Sequence, residues 1–219
     1  KNFIILSGSK VDSGALVDKC FIGQSVDMGK QFSAESSIFF ANSEAFHGEA
    51  VSLFAGPYMV THHKSSLLIA GLFSFFNTGS GTNQSNHMYK LGPVHQGIVE
   101  RGSKTGSFAY LLWPSRIGAY TVVMGKNQAS FDSSDFPFSY INVDNEKSIL
   151  TPGMNLFTVG TRRDYEKWPN RDKRKDPRKY DLINFDFLSP YIVQKVIKSS
   201  RFKLVFHNAP WMIYGESKC

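Results

Sequence analysis

Between Val99 and Ala129 the chain keeps a beat of six. Val99, Thr105, Leu111, Ile117, Val123 and Ala129 stand at steps of six, and Ser103, Ala109, Ser115 and Thr121 each follow four residues after one of the first four. A period of six fits neither the 3.6 residues of a helical turn nor the simple alternation of an open sheet, and short fixed-period repeats of this kind build solenoids. Side chains alternate along a strand, so each aliphatic residue shares a face with the small residue two places before it. Both are predicted to point inward while the remaining positions turn the corner.

A second set of hexads runs through Ile5, Val11 and Val17, slips by one, and resumes at Ile22, Met28, Ala34, Phe40 and Phe46. Its companions are Val26, Phe32, Ile38 and Ala50, with Glu44 breaking the series. These residues are read as packing and nothing else. A solenoid that stops abruptly exposes backbone and apolar side chains, so it needs caps. Strand-like letters at the opening therefore predict either a piece of a longer protein or a chain capped by a partner.

At 219 residues and 42% hydrophobic, the chain can bury a core as one domain with an appendage. The net charge of +7 is local: Thr161 to Tyr180 holds nine Lys/Arg against four acids. Such a run is read as solvated surface; nucleic acid is not the expected partner. Two cysteines make no disulfide framework, which predicts a reducing cytoplasm. The greasiest run, Leu67 to Phe76, is too short to span a bilayer, so no membrane partner is expected.

Between the two sets the beat is lost. Ala55-Gly56-Pro57-Tyr58 signals a turn, His62 and His63 follow, and a polar, Gly-rich stretch from Asn77 to Gly97 is read as a projecting loop. After Ala129 loop and short strands are expected, then a helix capped by Thr161 and reaching Lys167. A firmer helix starts at Ser189-Pro190, with Tyr191, Val193, Val196 and Ile197 predicted to lay an apolar stripe across the solenoid.

The hexads resemble those of hexapeptide-repeat proteins, in which three units make one triangular coil. The segments Ala55 to Gly71, Phe73 to Gly97, Trp113 to Gly125 and Trp168 to Tyr180 resemble an uncharacterised bacterial family of large β-helix proteins known only as a domain of unknown function. The resemblance implies a mainly β fold: a left-handed parallel β-helix over residues 1–147, with a loop inserted around 72–97. A basic C-terminal extension of loop and helix would occupy 148–219. Handedness comes from the resemblance alone, since parallel crossovers are otherwise nearly always right-handed. The hexapeptide class implies acyl transfer from acetyl-CoA or another acyl-CoA to a sugar, nucleotide sugar or similar polar acceptor. It also implies a trimer, with sites between prisms.

Acyl transfer to an amine or hydroxyl needs a general base, and histidine suits it. His87 and His95 are the preferred candidates, with His62 beside them. Asn83, Asn86, Tyr89, Lys90, Arg101, Lys104 and Arg116 are the expected substrate contacts, the last three as anion ligands. No metal is expected, because neighbours such as His62 and His63 point to opposite faces of a strand. Gly79-Ser80-Gly81-Thr82 lacks the Lys and the spacing of a nucleotide-binding loop. The alternatives are a non-catalytic binding platform and a segment that supports a nucleotidyltransferase elsewhere in a longer chain.

Overall fold

The computed structural model describes residues 2–85, 96–200, 202–208 and 211–216. Short parallel strands are visited in strict rotation by three sheets. Ile4–Ile5, Lys10–Val11 and Leu16–Asp18 make one coil, Phe21–Ile22, Asp27–Gly29 and Ser33–Glu35 the next, and the rotation continues to Arg116–Ile117, Val122–Val123 and Lys126–Asn127. The result is a left-handed parallel β-helix of about eight turns. Its sheets are called the first, second and third faces, in the order in which the chain meets them. An antiparallel hairpin, Tyr140–Asp144 with Lys147–Thr151, extends the second face.

The six-residue beat is the core. Val99, Leu111, Ile117 and Val123 are fully buried, as are Ser103, Ala109, Ser115 and Thr121. The last step fails: Leu111 pairs with Asn127, sixteen residues on, so buried Asn127 takes the inward place and Ala129 is exposed. Shorter coils also explain the slips near the amino terminus. Ile5 pairs with Ile22, and Ile22 with Phe39, each step seventeen residues, and Phe39 pairs with Ala55 after sixteen. Phe39 and Ala45 therefore occupy the core where Phe40 and Phe46 were expected, and Ile38 faces outward.

Part of the span expected to be an insertion is regular coil, since Gly71–Phe73, Asn77–Thr78 and Asn83–Ser85 each pair with strands on both sides. Positions 86–95 lie outside the described residues. Outside the core, the first face carries an unbroken row of apolar side chains in register: Ile4, Phe21, Ile38, Phe54, Leu72 and Ile98. Arg116 ends the row.

At the corner from the first face to the second, Asn42, Tyr58, Phe75, Gly102, Tyr120 and Phe138 all adopt left-handed backbone, with φ between 49° and 75°. Each donates its N–H to a carbonyl of the preceding coil, as Tyr58 does to Ala41 and Tyr120 to Arg101. That ladder holds bulky residues in a conformation that would otherwise cost about 1–3 kcal/mol each. Their rings project outward and stack: Tyr58 on Phe75 at 5.1 Å, Tyr120 on Phe138 at 5.0 Å.

The basic segment is a strap laid along this corner. Helix α1 (Val159–Lys167) leads to Trp168, and the chain then descends toward the first coils, where Ser7 donates to Asp176 and Gln24 to the Arg178 carbonyl. It returns through Phe185 and Phe187 to helix α2 (Pro190–Ser199), capped by Ser189. Asp172 accepts both forks of Arg174 at 2.9 Å, Lys179 at 3.0 Å and Asn42 at 3.0 Å. These bonds hold the Asp172 carboxyl far below the usual carboxylate range, Arg174 contributing most. The cations at the strap's centre thus meet acids and are not simply solvated. In α2 only Ile192 is buried, against Ala119, Tyr120 and Phe138. Tyr191, Val193, Val196 and Ile197 stay exposed; the Tyr191 hydroxyl reaches the prism, donating to Glu100 at 2.6 Å, but the expected apolar stripe is not packed across it.

Candidate functional site

Where the strap bridges the second face it leaves a cleft of about 470 Å³. Its floor is the outward column of that face, Glu44, Val60, Asn77 and Lys104 in register. Its wall is Trp168 with Asp164 and Lys173 of the strap. The period-two pleat puts these floor residues outside because their neighbours Ala45, Thr61, Thr78 and Thr105 are inside.

His62 stands at the rim. Its Nε2 meets a Glu44 carboxylate oxygen, and its ring stacks on Phe46 with centroids 5.6 Å apart. Lys173 binds the other Glu44 oxygen and also Asp27, at 2.9 Å. The bond from His62, then the Lys173 ammonium, hold the Glu44 carboxyl at about 2 against the opposing effect of burial. An ionised carboxylate only accepts, so Nε2 carries a proton, and in the neutral imidazole Nδ1 keeps the lone pair. Further along the floor, Lys104 pairs with Asp164. Tyr58, whose hydroxyl donates to the Trp168 carbonyl at 3.0 Å, has that hydroxyl pushed up by burial.

The expected site residues are scattered. His62 and Lys104 meet in this cleft. Arg101 lies 4.7 Å over the Phe75 ring and donates to the Asn184 carbonyl, so it holds the strap. Arg116 is on the first face, 4.0 Å from Asp132, and Asn83 is on the third, accepting from Ser85. His87, His95, Asn86, Tyr89 and Lys90 lie outside the described residues. Sequence reasoning missed Glu44, Trp168, Asp164 and Lys173. Glu44 was legible only as a break in a series whose phase had already slipped.

His62 and His63 follow the strand that ends at Thr61, so they sit at the corner and border one pocket, not opposite faces. Among the described residues no three of His, Cys, Asp and Glu come together as a metal site. Gly79 and Gly81 turn the next coil's corner with their N–H groups already given to Thr105 and Lys64, leaving no nest there for an anion. No helix among the described residues is long and apolar enough to cross a membrane.

A family model described as a domain of unknown function (DUF4954) matches residues 1–205. No curated protein matches the chain. Among solved structures, a point variant of AntD, an N-acyltransferase from Bacillus cereus in complex with dTDP and coenzyme A, is similar at 14% identity and a TM-score of 0.38. The similarity covers 74% of this chain and 88% of that one. So loose a superposition carries no argument about activity.

Proposed function

Because the chain belongs to the domain of unknown function family DUF4954, whose description assigns no reaction, we propose a function from the cleft itself: an acyltransferase acting on a polar acceptor. The reaction class is drawn by analogy from the hexapeptide fold class, and a fold does not by itself dictate a reaction. The observation that carries the reading is the Glu44–His62 dyad at the rim of a walled cleft. Glu44 fixes the tautomer, and Nδ1 of His62 takes the proton from the acceptor's amine or hydroxyl as its N or O attacks the thioester carbonyl. The C–S bond then breaks and the thiolate leaves. Asn77 and Lys104 would orient the acceptor. His87 and His95 remain the rival bases.

The test is transfer from acetyl-CoA to a panel of amino sugars, nucleotide sugars and amines, with His62→Ala, His87→Ala and His95→Ala side by side. His62→Ala is expected to lose at least a hundredfold in kcat at a temperature where it remains folded, the other two less than fivefold. Full activity in His62→Ala removes the assignment. A second reading, the non-catalytic platform, is favoured by Lys173, which ties the same Glu44 to the strap. On that reading no acceptor turns over, with the unaltered chain or with any of the variants. A homo-oligomer, in the hexapeptide class a trimer, would cover the apolar row on the first face, and buried, unpaired Cys20 suits a cytoplasmic protein.

A further inference from the structure

Next to the cleft, at the corner from the second face to the third, is a second pocket of about 560 Å³ lined by Lys30, Phe46, His47, His62, His63 and Lys64. It is built by the coil repeat: Lys30 and His47 sit at successive left-handed corner positions, with φ of 52° and 56°, and Lys64 precedes the third, Ser65. Five of the six lining side chains carry nitrogen cations or imidazoles and none is a carboxylate. Glu44 of the cleft is already bound by His62 and Lys173.

The cations differ from those at the centre of the strap. Lys173, Arg174 and Lys179 are each matched by an aspartate or glutamate. Lys30 and Lys64 have no ion pair among the described residues; Lys30 lies 5.0 Å over the Phe46 ring. Two unpaired ammonium groups with imidazoles beside them, around a concavity, favour a compact group of more than one negative charge, which lysine meets as a point charge. His62 borders both this pocket and the cleft, so a ligand can occupy the two at once.

We propose that the Lys30–Lys64 corner binds the phosphoryl end of a ligand, a monophosphate or diphosphate, whose remainder enters the cleft. The proposal rests on the reading of the cleft as a substrate site. The experiment is calorimetric titration of the full chain with inorganic pyrophosphate and, separately, with ADP, which tells a free phosphoryl anion from a nucleoside-borne one. Both are expected to bind, and Lys30→Ala/Lys64→Ala to weaken both at least tenfold, while Lys126→Ala on the third face leaves them unchanged. Should the alanine double variant fail to fold, Lys30→Gln/Lys64→Gln is expected to show the same loss. Absence of saturable binding of either probe to the unaltered chain, or equal affinity in the double variant, overturns the proposal. Glu44→Gln, which does not line the pocket, separates the two readings: it is expected to keep pyrophosphate affinity within twofold while losing transfer.

Discussion

Trp168 fills the place that Gly102 leaves empty in the corner column of rings. A Cβ at Gly102 would stand 2.3 Å from Tyr120 and 3.3 Å from Trp168, so the missing side chain is what lets the Tyr120 ring lie against the backbone there and gives the edge of the indole its room. The indole lies 4.3 Å from Phe75 and 6.4 Å from Tyr120, which makes one stack from Tyr58 to Phe138 with a member supplied by the strap. The same indole walls the cleft, so packing and site share a residue.

Trp168→Ala is therefore expected to loosen the strap as well as to remove apolar area. Large-to-small changes of buried aromatics cost about 3–5 kcal/mol, and Trp168 is only partly buried, so a loss of about 2 kcal/mol is expected in chemical denaturation. Limited proteolysis between positions 168 and 187 should accelerate in parallel. Unchanged cleavage there would mean that the strap is held by its ion pairs alone.

The Glu44 network sets an acid limit. Its folded carboxyl is held at about 2, below the ordinary 4.5, so the stabilisation it gives is complete above pH 4.5 and is lost as the pH falls from there toward 2. Melting temperatures measured from pH 2 to 6 should fall more steeply for the unaltered chain than for Glu44→Gln. Parallel curves would contradict the assignment. Asp172 is depressed too and contributes to the slope of both proteins, which is why the comparison is made between them.

How much of this was legible in the letters depended on coil length. Where coils are eighteen residues, as from Val99 to Ile117, hexads could be read directly into buried columns. Where they are seventeen or sixteen, the phase drifts by one or two per turn, and Phe40, Phe46 and Ala129 were assigned inward on a beat that had already moved. The strap was illegible for another reason. Trp168, Lys173 and Asp172 reach Tyr58, Asp27 and Asn42 across more than a hundred residues, and no local pattern announces such contacts. His62 was picked as one histidine among several; its carboxylate partner, on the neighbouring coil, could be paired with it only once the register was known.

The apolar row on the first face bears on assembly. Phe54 and Leu72 are 45% and 47% exposed on adjacent strands, flanked in register by Ile38 and Ile98. Six rungs at roughly 4.8 Å give a strip about 24 Å long. If copies of the chain associate through it, Phe54→Lys/Leu72→Lys should convert the oligomer to a monomer in light scattering with the melting temperature of the prism retained. An oligomer that survives both lysines associates elsewhere.

Gln84 is an inward amide between two leucines. Its neighbours in the third-face column are Leu68 and Leu111, it is fully buried, and neither its Oε1 nor its Nε2 has a hydrogen-bond partner among the described residues. A buried polar group left unpaired costs about 1–3 kcal/mol, whereas an apolar side chain of similar length keeps the packing and removes that cost. Gln84→Met is therefore expected to stabilise by about 1–2 kcal/mol, and, at roughly 2–4 °C per kcal/mol for a chain of this size, to raise the melting temperature by about 2–8 °C. Gln84→Ala supplies the contrast, because it removes the amide but leaves a void between the leucines, and it should gain less than Gln84→Met or lose stability outright. A melting temperature lowered by Gln84→Met would show that the amide is satisfied in solution and belongs to the prism's interior as a polar group.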